Sequence, residues 1–188
     1  MPRFKRIETP LAGLYIIQPA VFADKRGMFR ETYNRREFEE LKIPCLFLQD
    51  NHSRSKKGTL RGLHYQVKRP QAKLITVARG SVFDVAVDLR RGSKTFGKWV
   101  GTVISEDNAL ELYIPEGFAH GFLALSDTDF LYKCSTFYEP EDEAGIIWND
   151  KSIGIEWPLK EYDIVEPLLS EKDKKWPTLK ELPGKLED

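Results

Sequence analysis

The chain has 188 residues, and its 29 Lys plus Arg balance 29 Asp plus Glu, for a formal net charge of zero. That length suits one domain with a substantial core, and 41% hydrophobic with 31% charged residues excludes a disordered or fibrous chain. Balanced charge supplies no general attraction to nucleic acid or an anionic membrane, so any bound anion needs a local cluster of Arg and Lys.

In chain order, the basic stretch Met1–Arg6 has no apolar stretch behind it, so no signal peptide is expected. No apolar run approaches the roughly 20 residues that span a bilayer, and the cytoplasm is the expected location. The first predicted element is a helix over Arg35–Leu41. Asn34 opens it as N-cap, because its side-chain oxygen can accept from a first-turn N–H. From Leu60 to Tyr138 apolar residues alternate with period two between short breaks of Gly, Pro, Asn or Asp. Strands are predicted at Leu74–Ala78, Ser81–Leu89, Lys98–Ile104, Ala109–Ile114, Gly121–Ala124 and Phe130–Phe137, with Arg79-Gly80 as a tight turn. Many short strands with little helix predict an all-β sandwich or barrel, of which the jelly roll is one solution. One domain over 1–188 is expected. From about Glu139 the chain carries charge runs, several prolines to Pro183, and Trp148, Trp157 and Trp176. This segment, 139–188, is expected to pack on the barrel and to supply site residues. Cys45 and Cys134 lack a metal-type spacing, so buried thiols are expected rather than a disulfide.

Alternation also sorts side chains by face. It groups Gly62, His64, Gln66 and Lys68, sends Leu63, Tyr65 and Val67 to the other side, and puts Lys73 with Ile75 and Val77. Asp84 falls with Val82 and Asp88, and Tyr132 with Phe130, Cys134, Thr136 and Tyr138. Polar side chains on an inward face are costly unless partnered, which implies a binding cavity. No Gly-rich phosphate loop occurs, so a phosphate would be held by side chains.

Pro115-Glu116-Gly117-Phe118-Ala119-His120 has the form Pro-x-Gly-x-x-His and resembles the second motif of the cupin superfamily. The first cupin motif normally carries a His-x-His pair for a metal. Here His64-Tyr65-Gln66 has an amide in place of the second histidine, a poor ligand, and the chain holds only His52, His64 and His120. No metal is expected, which argues against a metal-dependent oxygenase. Further stretches are Asp24–Glu31, Gln49–Ser53, Arg61–Gln66, Gln71–Leu74 and Leu169–Asp173. Together they resemble the dTDP-4-dehydrorhamnose 3,5-epimerase family of cupins, in order, over about residues 5–177.

The resemblance implies a cupin-type jelly roll and a 4-keto-6-deoxyhexose carried on dTDP as substrate. The C4 ketone acidifies hydrogens on C3 and C5, so each centre can invert through an enolate without any cofactor. Imidazole, with an ordinary pKa of about 6.5, suits the base. The implied roles are His64 as base, Asp173 orienting it, Tyr132 as acid and Lys73 stabilising the enolate oxygen. Substrate binding falls to Arg26, Glu31, Gln49, Asn51, Arg61, His120 (with Asp84 as its polar partner), Tyr138, Glu143 and Lys172. Among these Arg26, Arg61 and Lys172 suit the diphosphate, and Tyr138 suits stacking on thymine. Members usually pair as homodimers with exchanged N-terminal strands, so Arg26 or Glu31 could serve the neighbouring cavity. Other readings stay open: a 3- or 5-epimerase or 3,4-ketoisomerase on a related dTDP-sugar, or a non-catalytic nucleotide-sugar-binding cupin.

Overall fold

The computed structural model describes residues 2–43 and 46–182; the expectations on Cys45 and Pro183 lie outside the described residues. Four short strands come first: β1 (Phe4–Glu8), β2 (Tyr15–Pro19), β3 (Phe22–Asp24) and β4 (Gly27–Phe29). Helix α1 (Arg35–Glu40) follows. Then come β5 (Gln49–Ser55), β6 (Leu60–Gln66), β7 (Lys73–Arg79), β8 (Ser81–Asp88) and β9 (Trp99–Ser105). The series closes with β10 (Glu111–Ile114), β11 (Phe118–Ala124), β12 (Thr128–Cys134) and β13 (Glu143–Gly145).

The helix forms where Asn34 can cap it: the Asn34 side chain accepts from the Glu37 N–H, and Phe38 is its buried residue. Phe38 packs edge-on against Phe4 and Tyr33, which fastens the helix to the sheet carrying β1. The predicted last residue, Leu41, is the C-cap.

The strands build two packed sheets, β1-β2-β10-β7-β12-β5 and β13-β6-β11-β8-β9, with β3-β4 as a separate hairpin. Among the described residues the ladders between these strands are antiparallel. This is the jelly-roll sandwich expected. Ile75, Val77, Leu112 and Phe130 of the first sheet meet Val82, Ala86, Ile104 and Phe122 of the second in a shared core. Alternation thus identifies the inward rows of β7, β8 and β12 correctly.

Arg79-Gly80 is a turn, with Gly80 at φ +78°, yet it makes no hairpin. β7 lies in the first sheet and β8 in the second, so the chain crosses the sandwich there. A Cβ on Gly80 would sit 2.3 Å from the Asp127 carbonyl oxygen, so the crossing admits only glycine. β12 ends at Cys134, short of the predicted Phe137, and β11 begins at Phe118, ahead of the predicted Gly121. The N-terminal strands and β5 were not foreseen, since their side chains do not alternate cleanly between apolar and polar.

The C-terminal segment lies on the outer face of the second sheet. Ile146, Ile153, Trp157 and Leu179 cover Leu63, Tyr65, Val85, Val87 and Ala119. Ile164, Trp148, Leu159 and Leu169 cover Leu60, Leu123 and Leu125. Burying these apolar faces at roughly 25 cal/mol per Å² anchors the segment firmly, and β13 joins the sheet edge beside β6.

Candidate active site

The site begins with an irregularity in β6. His64 pairs with His120 and Arg61 with Phe122 of β11, so three steps on β6 oppose two on β11. The extra residue is a β-bulge. Gly62 there has φ +127°, and a Cβ on it would lie 2.5 Å from the Gly121 Cα, so the two backbones touch. Strict alternation sends Arg61 to the face opposite His64. The bulge brings both onto the inner side, where the Arg61 Nε donates to the Ser55 Oγ of β5 at 3.2 Å.

His64 donates from Nε2 to the Asp173 Oδ1 at 2.5 Å, across 109 residues of sequence. The loop carrying Asp173 is pinned at both ends: Leu60 N–H donates to the Leu168 carbonyl at 3.0 Å and Ile147 N–H to the Pro177 carbonyl at 2.9 Å. Asp173 itself is buried. Its Oδ2 accepts from the Ser170 hydroxyl at 2.8 Å, and its Oδ1 also accepts from the Trp176 Nε1 at 3.2 Å. Burial opposes ionisation, yet the bonds from His64, Ser170 and Trp176 hold the carboxyl below its ordinary range. An ionised Asp173 fixes the proton on His64 Nε2 and leaves the Nδ1 lone pair as the free basic site. Nδ1 lies 3.8 Å from the Glu143 carboxylate.

The other sheet supplies the facing groups. Lys73 starts β7 opposite Cys134, and Tyr132 on β12 is opposite Ile75 and Asn51. Burial raises the Tyr132 phenol, aided by Cys134 and Glu143 and opposed by Arg61, so it is a protonated donor at neutral pH. Burial lowers the Lys73 ammonium against the pull of Cys134, Asp84 and Glu143. Deeper between the sheets the His120 Nε2 is 3.0 Å from both Asp84 oxygens. Burial pushes Asp84 up and His120 down, driving both toward uncharged forms.

The rim is a continuous polar chain between the sheet edges. The Gln49 amide donates to the Asn51 Oδ1 at 2.8 Å, and the Gln49 Oε1 accepts from the Tyr138 N–H at 2.9 Å. The Tyr138 hydroxyl donates to Glu143 at 2.7 Å, which pushes the phenol up to about 12. Lys172 pairs with the same carboxylate. Burial resists ionisation of Glu143, but Lys172 and Tyr138 outweigh it and lower its pKa. Tyr138 reaches the rim from beyond the end of β12, not by strand alternation, and its ring is half exposed.

Gln66, in the position of the missing metal-motif histidine, is fully engaged. Its amide donates to the Arg69 carbonyl at 2.8 Å and the Phe137 carbonyl at 3.4 Å, and its Oε1 accepts from the Glu139 N–H at 2.8 Å. Among the described residues no three His, Cys, Asp or Glu side chains are grouped to hold a metal ion.

Two predicted residues are not brought to this cluster. Arg26 is fully exposed on the β3–β4 hairpin and donates to Asp24 at 2.6 Å. Glu31 pairs with Arg3. Met28, Phe29 and Arg30 form a cavity of about 400 Å³ with Leu74, Thr76, Ala78 and Leu131, on the outer side of the first sheet. Sequence reasoning missed Ser170 and Trp176; Ser170 stands inside the motif Leu169–Asp173, whereas nothing in composition distinguishes Trp176 from the other C-terminal tryptophans.

Residues 8–181 match the family model described as dTDP-4-dehydrorhamnose 3,5-epimerase. A dTDP-4-dehydrorhamnose 3,5-epimerase of Methanothermobacter thermautotrophicus is 51% identical over 97% of this chain and 98% of its own. The crystal structure of a Legionella pneumophila dTDP-6-deoxy-D-glucose-3,5-epimerase, in complex with dTDP-4-keto-L-rhamnose, superposes with a TM-score of 0.92. It is 46% identical and the match covers 97% of this chain and 96% of that one. A 3'-monoepimerase of Streptomyces bikiniensis, in complex with dTDP-quinovose, has a TM-score of 0.83 at 35% identity, over 92% and 88% of the two chains.

Proposed function

The chain belongs to the dTDP-4-dehydrorhamnose 3,5-epimerase family, and from that premise we propose how its own residues divide the chemistry. It is an epimerase that converts dTDP-4-dehydro-6-deoxy-D-glucose to dTDP-4-dehydro-L-rhamnose. In our reading the His64 Nδ1 removes the proton from C3 and, in a separate cycle, from C5, as the C4 ketone becomes an enolate. Lys73 answers the charge that develops on the C4 oxygen; its ammonium is buried near Cys134, Asp84 and Glu143, placed to donate to a developing oxyanion. Tyr132, on the facing sheet, returns a proton to the opposite side of the same carbon, so each cycle inverts one centre. His120, backed by Asp84, holds the sugar from below.

The nucleotide lies along the rim. Arg61 and Lys172 hold the diphosphate, Tyr138 stacks on thymine, and Gln49, Asn51 and Glu143 give polar contacts. Arg26 and Glu31 act from the N-terminal segment of a second copy in a homodimer, a reading supported by their pairing with Asp24 and Arg3 rather than with the rim residues and by exposed Phe22, Met28 and Phe29. No helix among the described residues is long and apolar enough to cross a membrane; the proposed setting is the cytoplasm.

The single observation that carries the role assignment is the His64–Asp173 bond on one sheet with Tyr132 on the other. Incubation with dTDP-4-keto-6-deoxyglucose in D₂O tests it. Deuterium should enter at both C3 and C5. Label at C3 alone would mark a monoepimerase, the reading kept in view by the Streptomyces structure. A folded His64→Ala variant should lose exchange at both carbons; persistent exchange would remove His64 as the base. A Tyr132→Phe variant should still exchange while inversion falls about 100-fold.

A further inference from the structure

We infer that Trp176 is a positioning residue for the base, holding the Asp173 carboxylate in the one orientation that aims His64 at the substrate. The inference rests on the reading of His64 as base. The Trp176 Nε1 donates to Asp173 Oδ1, the same oxygen that receives the His64 Nε2–H, while Ser170 holds the other oxygen. With both oxygens occupied, the carboxylate cannot rotate without breaking a hydrogen bond, and a buried broken bond is costly.

The indole is itself fixed from three sides. Its ring meets the His64 imidazole edge-on, with centroids 6.1 Å apart. The Lys172 ammonium sits 5.2 Å from the ring centroid, a cation–π contact. The third side is the backbone of Gly145, which pairs with His64 across β13 and β6. A Cβ on Gly145 would fall 2.5 Å from the Trp176 Cε2, so glycine is required for the indole to lie there. Trp176 therefore touches the base, the base's partner and a rim lysine at once. The other ionisable groups near His64 are Glu143 on β13, which is joined to Lys172 and Tyr138, and His120 on β11. None of them accepts from the indole N–H.

The test compares Trp176→Phe and Gly145→Ala with wild type, measuring kcat, KM and the pH profile of solvent-deuterium exchange. Trp176→Phe keeps a ring but loses the donor; Gly145→Ala keeps the donor but displaces the ring. Each should lower kcat roughly tenfold and change KM less than about twofold. Without the indole bond Asp173 loses one of the contacts that hold its carboxyl low. The acidic limb, where the carboxylate that orients His64 is lost, should therefore move to higher pH in Trp176→Phe. Folded variants of both kinds with unchanged kcat and an unmoved limb would overturn the inference. His64→Asn is run alongside: if it retains exchange, the base assignment fails instead, whatever the Trp176 variants do.

Discussion

Two segments that sequence motifs assign to the same site behave differently in the folded chain. The C-terminal segment is built into the second sheet: β13 pairs with β6, and Glu143, Lys172 and Asp173 meet His64 directly or through one neighbour. Among the described residues the strands of the N-terminal hairpin β3–β4 pair only with each other, and Arg26 has Asp24 as its partner. The difference teaches that two motifs of one resemblance can stand on parts of very different anchorage, one built into the sheet and one held away from the His64 cluster. The first is anchored by apolar burial under Ile146, Ile153 and Trp157. The second still shows its apolar side chains to solvent, the surface that a second copy would cover.

The comparison would break first at Asp173. Asp173→Asn removes the charge beside His64 and should lower kcat by about 100-fold. Because the asparagine amide does not ionise, an acidic limb set by the Asp173 carboxyl should disappear, unlike the upward shift expected for Trp176→Phe. Steady-state kinetics across pH would show both; a wild-type rate would mean that the C-terminal segment is packing alone.

Arg26→Ala should act on binding, raising KM about tenfold with kcat little changed, as loss of a charged contact to phosphate does. Mixing sharpens the point. Hybrid dimers of Arg26→Ala and His64→Asn chains contain one intact site if the hairpin serves its partner, and none if it serves its own chain. Recovery of activity on mixing, measured against the unmixed variants, decides between the two.

The smallest expected effect lies on the sheet face beneath the hairpin. Glu111 is buried there with Oε2 unpartnered, while Oε1 accepts from the Thr76 hydroxyl at 3.0 Å. Burial raises its pKa from 4.5 to about 8. A folded carboxyl with a raised pKa stabilises below its unfolded value, and that contribution is lost as pH rises toward 8. Glu111→Gln keeps an acceptor for Thr76 and should raise Tm at pH 8 by roughly 3 °C, flattening the stability profile between pH 4.5 and 8. Thermal melts across that range would find it; a profile as steep as wild type would reject it.

Much of this was legible in the sequence because strands encode faces. The inward rows Lys73–Ile75–Val77, Val82–Asp84 and Phe130–Tyr132 follow from a period of two, and the Asn34 cap follows from residue type. Arg61 was not legible by alternation, since the bulge at Gly62 shifts its phase by one residue. Alternation along β12 does not place Tyr138: the strand stops at Cys134, and Gln49 and Glu143 fix its position. The His64–Asp173 pairing came from resemblance alone, because no local rule predicts a contact across 109 residues. The hairpin strands β3 and β4 escaped because their exposed side chains carry no burial pattern.

Gln66 carries a consequence for how such barrels can diverge. Substituting histidine would restore the His-x-His spelling of a metal-binding relative in one step. The same step would remove the amide that clamps the Arg69 loop to Phe137 and Glu139. A lineage moving between the two chemistries must therefore rebuild two loops along with one ligand. A histidine there would leave the Glu139 N–H and the Arg69 and Phe137 carbonyls without their amide partner, so the glutamine is locked in by its loops.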